Sequence, residues 1–246
     1  YRAMVIDLKK TNPKGWENEK KPSLENPLDS IIYEMHIRDF SIDKSSGVSL
    51  ENRGKFLGII EENTKVPGTE VKTTLDHLKE LGITHVHLLP SFDFGTVDEE
   101  RLDEEQYNWG YDPVNYNVPE GSYSKNPYKG EVRIKEFKEM VLKLHRAGIR
   151  VILDVVYNHT YSGENSNLNL SYPGYYHRQD DFGNFSNGSG CGNELASERL
   201  MVRKYMVDSL KYWAKEYHID GFRFDLMALH DIETLKEIRE ELNKID

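Results

Sequence analysis

Ile149-Arg150-Val151-Ile152-Leu153-Asp154-Val155-Val156 is almost continuously apolar and runs into three polar-tipped residues, Tyr157-Asn158-His159. Such a run reads as a strand buried on both faces, the condition of a parallel sheet. Gly148 precedes it and closes a helical pattern carried by Phe137, Met140, Val141 and Leu144. The same hand-over occurs upstream, where Leu75, Leu78 and Leu81 lead through Gly82 into a strand from Ile83 to Leu89. A third helix, near 197–217, passes instead through Tyr217-His218-Ile219 into a strand from His218 to Asp225, and a last helix is predicted over 231–244. The first strand is read at 31–40, where β-branched and aromatic residues alternate with polar ones. Strands alternating with helices predict an α/β fold with a parallel sheet.

The loops choose between a doubly wound sheet and a barrel. Residues 41–70 are loop-like with one short helical stretch, whereas 91–129, with Pro113, Pro119 and Pro127, and 157–196 are long and without period. Both long loops follow the C-terminal ends of strands two and three, where a barrel builds its active site. No G-x-G-x-x-G follows the first strand, as a dinucleotide-binding sheet requires. The expected architecture is therefore a partial TIM (β/α)8 barrel holding about its first four β/α units. Residues 1–30, rich in charge and carrying Pro13, Pro22 and Pro27, read as an extended lead-in wrapped on a surface. Residues 31–246 read as the first half of the barrel, with the remainder expected beyond residue 246. The sequence starts without Met, and Tyr1-Arg2-Ala3-Met4 opens no basic-then-apolar leader, so it reads as a cut or processed product.

Composition narrows the partners. The 246 residues carry 42 acidic against 32 basic side chains, a net charge of -10, and form no basic stripe to release counterions from phosphates, which argues against nucleic acid or an anionic membrane surface. The apolar runs are far short of the roughly 20 residues that span a bilayer. One cysteine, Cys191, leaves neither an internal disulfide framework nor a cysteine-based zinc site. Fifteen tyrosines are more than a core requires, and their flat faces with polar tips suit sugar rings.

The candidate chemistry gathers at two strand ends. In Gly221-Phe222-Arg223-Phe224-Asp225 strict alternation puts Arg223 and Asp225 on one face and the phenylalanines on the other. An arginine beside a carboxylate keeps it ionised, as a nucleophile requires, although a plain structural ion pair has the same spacing. Asp154 ends the most apolar strand and must find a partner or water. With His159, itself equally readable as a hydrogen-bonded loop histidine, these residues meet at one rim. His85 and His87 alternate on a strand and read as structural, and with no H-E-x-x-H motif no metal is assigned. Asn108-Trp109-Gly110-Tyr111-Asp112-Pro113 has no period and reads either as a packed loop or as an aromatic platform for a ring.

Tyr107-Asn108-Trp109-Gly110-Tyr111-Asp112-Pro113, Asp154-Val155-Val156-Tyr157-Asn158-His159 and Gly221-Phe222-Arg223-Phe224-Asp225-Leu226-Met227 resemble, in order and spacing, signature segments of the type I pullulanases of the α-amylase superfamily, glycoside hydrolase family 13. The first heptad discriminates best, since the other two are shared across the superfamily. Gly190-Cys191-Gly192-Asn193-Glu194, Ser197-Glu198-Arg199 and the opening Met4-Val5-Ile6-Asp7-Leu8 look like the same group, so the resemblance covers essentially the whole chain.

The resemblance implies a starch-debranching hydrolase that cleaves α-1,6-glucosidic linkages of pullulan, amylopectin or related α-glucans with retention. Residue by residue, Asp225 matches the nucleophile and Arg223 the arginine that orients it. Asp154 and His159 match positions that hold hydroxyls of the attacked glucose, Tyr111 matches the aromatic stacked beneath it, and Trp109 and Asp112 belong to the same substrate-binding segment. Leu226 and Met227 are expected to contact the sugar beyond the scissile bond. Asn158 occupies a position that ligates calcium in many α-amylases, but no metal is assigned from it and no cofactor is required. The family's general acid, a glutamate at the end of the fifth strand, is missing, and no glutamate here matches its motif. The 246 residues alone are therefore expected to be inactive. The rival readings are an isoamylase relative, an α-1,4-cleaving neopullulanase, and a non-catalytic α-glucan-binding protein. Against the last stand Arg223 and Asp225 together, because binding alone needs no ionised nucleophile.

Overall fold

The computed structural model describes residues 3–245, leaving residues 1, 2 and 246 outside it. Among these residues six strands form in chain order: β1 (Ile32–Met35), β2 (His85–Leu88), β3 (Phe92–Phe94), β4 (Pro113–Pro119), β5 (Arg150–Val155) and β6 (Gly221–Phe224). Four of them build one parallel sheet in the order β1-β2-β5-β6. The apolar run at 149–156 is β5, an interior strand of that sheet, and Val151, Leu153 and Val155 are fully buried. Among the described residues the outer edges of β1 and β6 have no hydrogen-bonded strand beside them.

Among the described residues six α-helices complete the order: α1 (Phe56–Ile59), α2 (Thr74–Leu81), α3 (Gly130–Arg146), α4 (Asn167–Ser171), α5 (Leu200–Glu216) and α6 (Ile232–Leu242). Gly82 and Gly148 take the left-handed backbone the hand-overs need, with φ of 68° and 81°. At the third hand-over His218 takes that place at φ 54°, a conformation costing a side chain about 1 kcal/mol or more. Two contacts hold it there: its ring stacks on Trp16 at 4.0 Å, and its Nδ1 meets the Glu19 carboxylate. The lead-in thereby completes the third turn.

Two expectations change. The first strand stops at Met35, because the chain turns at once, with the Phe40 N–H donating to the His36 carbonyl at 3.0 Å. The stretch 91–129, read as aperiodic, contains the antiparallel pair β3 and β4. Pro113 and Pro119 sit at the two ends of β4, where a missing N–H costs little, and Val114, Tyr116 and Val118 alternate with asparagines of poor strand propensity. Residues 3–30 are not featureless either. They form 3-10 turns at Leu8–Thr11, Trp16–Asn18 and Pro27–Asp29, and Trp16 is part of the core.

Much of the tyrosine excess is core. Tyr116 and Tyr157 stack at 5.2 Å, Phe92 stacks on Trp213 at 4.9 Å, and the Trp213 indole N–H donates to the Tyr116 carbonyl at 2.9 Å. The Tyr157 hydroxyl bonds Ser209 at 2.6 Å. This cluster ties β4, the loop after β5 and α5 into one support beneath the C-terminal ends of the strands.

Candidate active site

Residue register puts the polar groups in a row. Glu34 pairs with His87, His87 with Ile152, Ile152 with Gly221, and Asp154 with Arg223, so Glu34, His87, Asp154 and Arg223 lie on one face of the parallel sheet. Phe222 and Phe224 turn to the other side and pack on the core.

Asp154 is 1% exposed, and a carboxylate so buried needs partners. Arg223 Nη1 reaches both its oxygens at 3.0 Å, and the Tyr111 hydroxyl donates to Oδ2 at 2.8 Å. The same Arg223 nitrogen donates to Asp225 Oδ1 at 3.0 Å, so one guanidinium bridges two carboxylates. Partial burial lowers the Arg223 basicity, but the hydrogen bond and charge of Asp154, and then Asp225, outweigh it and hold the cation above its ordinary range. Burial, then the hydrogen bond and charge of Asp154, push the Tyr111 hydroxyl far up, so it stays a donor.

Asp225 follows the last residue of β6, its N–H donating to Val155 O at 3.0 Å. The next residue, Leu226, has φ 44°, left-handed backbone in a residue that disfavours it, at a strain of about 1–3 kcal/mol. That reversal turns the chain into the 3-10 turn Met227–Leu229 and leaves Leu226 and Met227 exposed beside Asp225. Asn158 donates from Nδ2 to Asp225 Oδ2 at 3.0 Å and to its main-chain oxygen at 3.1 Å. His159 is buried next to it, its Nδ1 against Asn158 Oδ1 at 2.5 Å, and burial pulls its basicity down against the contrary pull of the Tyr111 backbone and of the Asp225 and Asp112 charges.

The loop carrying Tyr111 is held from below. His36 Nδ1 accepts from the Asp39 N–H at 3.2 Å, which fixes its tautomer and leaves Nε2 to donate to the Asn108 carbonyl at 2.8 Å. Gly110 has φ 88°, and a Cβ there would stand 2.4 Å from the Pro90 carbonyl oxygen. Gly110→Ala is therefore expected to cost about 2 kcal/mol or more and lower the melting temperature by roughly 4–8 °C. An unchanged thermal melt would make the turn tolerant and remove this reason for the glycine.

Tyr111, Asp154, Arg223 and Asp225 thus converge, with His159 adjoining. Trp109 does not join them: it is exposed and bonded through Nε1 to the Tyr107 hydroxyl. Asp112 turns into its own loop, accepting from Asn108 Nδ2 at 2.6 Å. Two participants were missed in the sequence. Asn158 was considered only as a metal position, and His87, read as structural, has Nε2 3.6 Å from Asp154 Oδ2 and Nδ1 3.2 Å from Glu34. The signal for His87 was its shared face with Asp154, visible once the strands are set in register.

Away from this rim, Asp93, Glu99 and Glu120 bring carboxylate oxygens within 4.8 Å of one another. Arg133 pairs with Asp93 at 3.2 Å and Glu99 at 2.7 Å, and burial pushes Glu120 up to about 8, so much of the cluster's charge is offset from within.

Residues 68–187 match the family model described as the α-amylase catalytic domain. The chain is 48% identical to a pullulanase of Bacillus subtilis over 230 residues, 93% of this chain and 31% of that protein. It is 38% identical to isoamylase 3 of rice, Oryza sativa, over 234 residues, 89% of this chain and 28% of that protein. Among solved structures, a pullulanase of Paenibacillus barengoltzii in complex with maltohexaose and α-cyclodextrin superposes with a TM-score of 0.96 at 55% identity, covering 98% of this chain and 37% of that one. A pullulanase of Bacillus acidopullulyticus superposes at 0.94 with 50% identity, covering 100% and 30%. The chain spans less than a third of the length of the curated relatives it matches.

Proposed function

From this similarity we propose that the chain belongs to the α-amylase family, on its pullulanase branch, and that it carries the nucleophile half of the active site of a retaining, α-1,6-cleaving glycoside hydrolase. The observation that carries the reading is the Arg223 bridge between Asp154 and Asp225 beneath the Tyr111 hydroxyl. Retention requires a carboxylate that attacks the anomeric carbon and a second carboxyl about 5–5.5 Å away that protonates the leaving oxygen. Asp225 is suited to attack: it stands at a strand end, paired to a cation, beside an exposed turn. The second carboxyl is not Asp154, which the same guanidinium grips through both oxygens and which is buried. The acid must come from residues outside those at this rim.

The other roles follow in order of contact. Tyr111 lies beneath the attacked glucose, and its hydroxyl keeps Asp154 aligned. Asp154 and His159 accept or donate at that sugar's hydroxyls, while Leu226 and Met227 meet the sugar beyond the scissile bond. Trp109, with Tyr107, offers an exposed aromatic face to a neighbouring ring. The sheet order, which follows the chain without reversal, supports four consecutive units of a (β/α)8 wall spanning residues 31–246, with 1–30 as its lead-in. An α-glucan is the proposed ligand, in keeping with the maltohexaose and maltotetraose named for two solved structures of the Paenibacillus barengoltzii pullulanase. Among the described residues no helix is long and apolar enough to cross a membrane.

The test is analysis of product mass and linkage after incubating the full-length gene product with pullulan. Maltotriose is the expected product. Panose or isopanose would mean α-1,4 cleavage, and binding without product would favour a glucan-binding protein. Tyr111→Ala is expected to weaken affinity for a glucan by about 1–3 kcal/mol, the range of aromatic stacking. Unchanged affinity in a titration would make Tyr111 a packing residue.

A further inference from the structure

Asn158 is a buried amide whose two ends are both engaged. Its nitrogen donates to the carboxylate oxygen Oδ2 of Asp225 at 3.0 Å and to the Asp225 main-chain oxygen at 3.1 Å. Its oxygen faces His159 Nδ1 at 2.5 Å. The orientation is forced, because a carboxylate and a carbonyl both accept, and the amide turned over would set its oxygen against two others. Arg223 holds the remaining carboxylate oxygen, Oδ1, at 3.0 Å.

The Asp225 side chain turns about two bonds, and one partner leaves it free to swing around that contact. Two partners on different oxygens, Arg223 from β6 and Asn158 from the segment after β5, fix both its position and its plane. We infer that Asn158 is a positioning residue for Asp225, which with Arg223 clamps the two carboxylate oxygens and sets the plane from which attack occurs. This rests on the reading of Asp225 as nucleophile. It also replaces the role that the resemblance attaches to this position. A cation cannot be ligated by an NH2 group, and the amide oxygen here is turned to His159, so the donor set at Asn158 does not fit calcium.

Asn158→Asp in the full-length gene product separates the two roles, since it keeps the shape and exchanges the NH2 for an oxygen. As a positioning residue, its loss lowers kcat on pullulan by about 10- to 100-fold with KM within about two-fold, because a hydrogen bond to a charged group is lost and a like charge replaces it. Added calcium and prior chelation leave that ratio unchanged. Calcium ligation demands the reverse: the aspartate keeps activity and makes it calcium-dependent, and that result overturns the inference. Asn158→Ala covers the case in which the new charge unfolds the protein, and a roughly 10-fold fall in kcat at unchanged KM is expected there. A lowered melting temperature with normal kcat in the alanine variant would make Asn158 merely structural. Should Asp225→Asn remain active, the nucleophile assignment fails on its own measurement, whatever Asn158 does.

Discussion

Asp225→Asn in the full-length gene product is expected to reduce release of maltotriose from pullulan by on the order of 10⁴-fold or more. The substitution changes almost no volume but removes the negative charge that, in the proposed mechanism, forms the bond to the anomeric carbon, and the other carboxylate of the rim cannot replace it. Asp154, the nearest alternative, is 1% exposed and held by Arg223 and Tyr111. The fold should survive. Arg223 keeps both contacts to Asp154, and the amide oxygen of the new residue can still accept one of the two donors now on Asp225. The other donor keeps its second acceptor, Asp154 for Arg223 or the main-chain oxygen of residue 225 for Asn158, so the loss is about 1 kcal/mol and a thermal melt would register only a small shift. Glucan affinity should persist, because Tyr111, Asp154 and His159 are untouched. A variant that folds, binds and still turns over at near-normal rate would remove Asp225 from the chemistry.

The strain at Leu226 bears on the same point. A leucine held at φ 44° immediately after Asp225 persists only because its surroundings over-determine it. Asp225 is fixed before that residue by its N–H bond to Val155 and at its side chain by Arg223 and Asn158. If Asp225 attacks as proposed, the backbone strain and the side-chain clamp serve one end, a carboxylate held in a fixed position and plane.

What could be read from the sequence was what depends on period and local chemistry. The strands found at Arg150–Val155 and Gly221–Phe224, the second shorter than the 218–225 read from the sequence because His218 is still in the left-handed turn, follow from apolar or alternating runs, and the caps at Gly82 and Gly148 follow from left-handed positions that glycine fills. The adjacency of Arg223 and Asp225 followed from two-residue alternation alone, and the structure puts them 3.0 Å apart. The hairpin of β3 and β4 was not legible, because its stability comes from burying Tyr116 against Tyr157 and Trp213, contacts set by segments far along the chain. His87 and Asn158 were missed for a related reason. Each is ordinary in its own segment and becomes part of the rim only through a neighbouring strand, whose register the sequence does not print. The tyrosine count misled in part, since Tyr116, Tyr123, Tyr157 and Tyr217 are interior.

Glu19→Gln is expected to destabilise the fold by on the order of 2–3 kcal/mol between pH 4.5 and 6.5, and by less on either side. Glu19 is buried between two imidazoles, with His145 on one oxygen and His218 on the other, and His145 Nε2 meets Asp220 at 2.7 Å. Burial alone would raise the Glu19 carboxyl, but the hydrogen bonds from His145 and His218, and then their charges, hold it down at about 2. Burial alone would lower His145, yet its hydrogen bonds to Asp220 and Glu19 raise it above its ordinary value. A carboxyl lowered on folding contributes stability above its unfolded value, near 4.5, and loses it as pH falls toward 2. An imidazole raised on folding contributes below its unfolded value, near 6.5, and loses it as pH climbs through its folded one. Their mutual attraction therefore exists in full only between those limits, so the gap in melting temperature between wild type and Glu19→Gln should be widest there, about 5–10 °C, and close toward both pH 3 and alkaline pH. The lead-in should loosen with it, because Glu19 is the tie between Trp16–Asn18 and the turn at His218, and trypsin should then cut earlier after Lys20. A gap that is the same at every pH would mean that Glu19 acts by packing alone, and the charge-coupled clamp between lead-in and sheet would have to be abandoned.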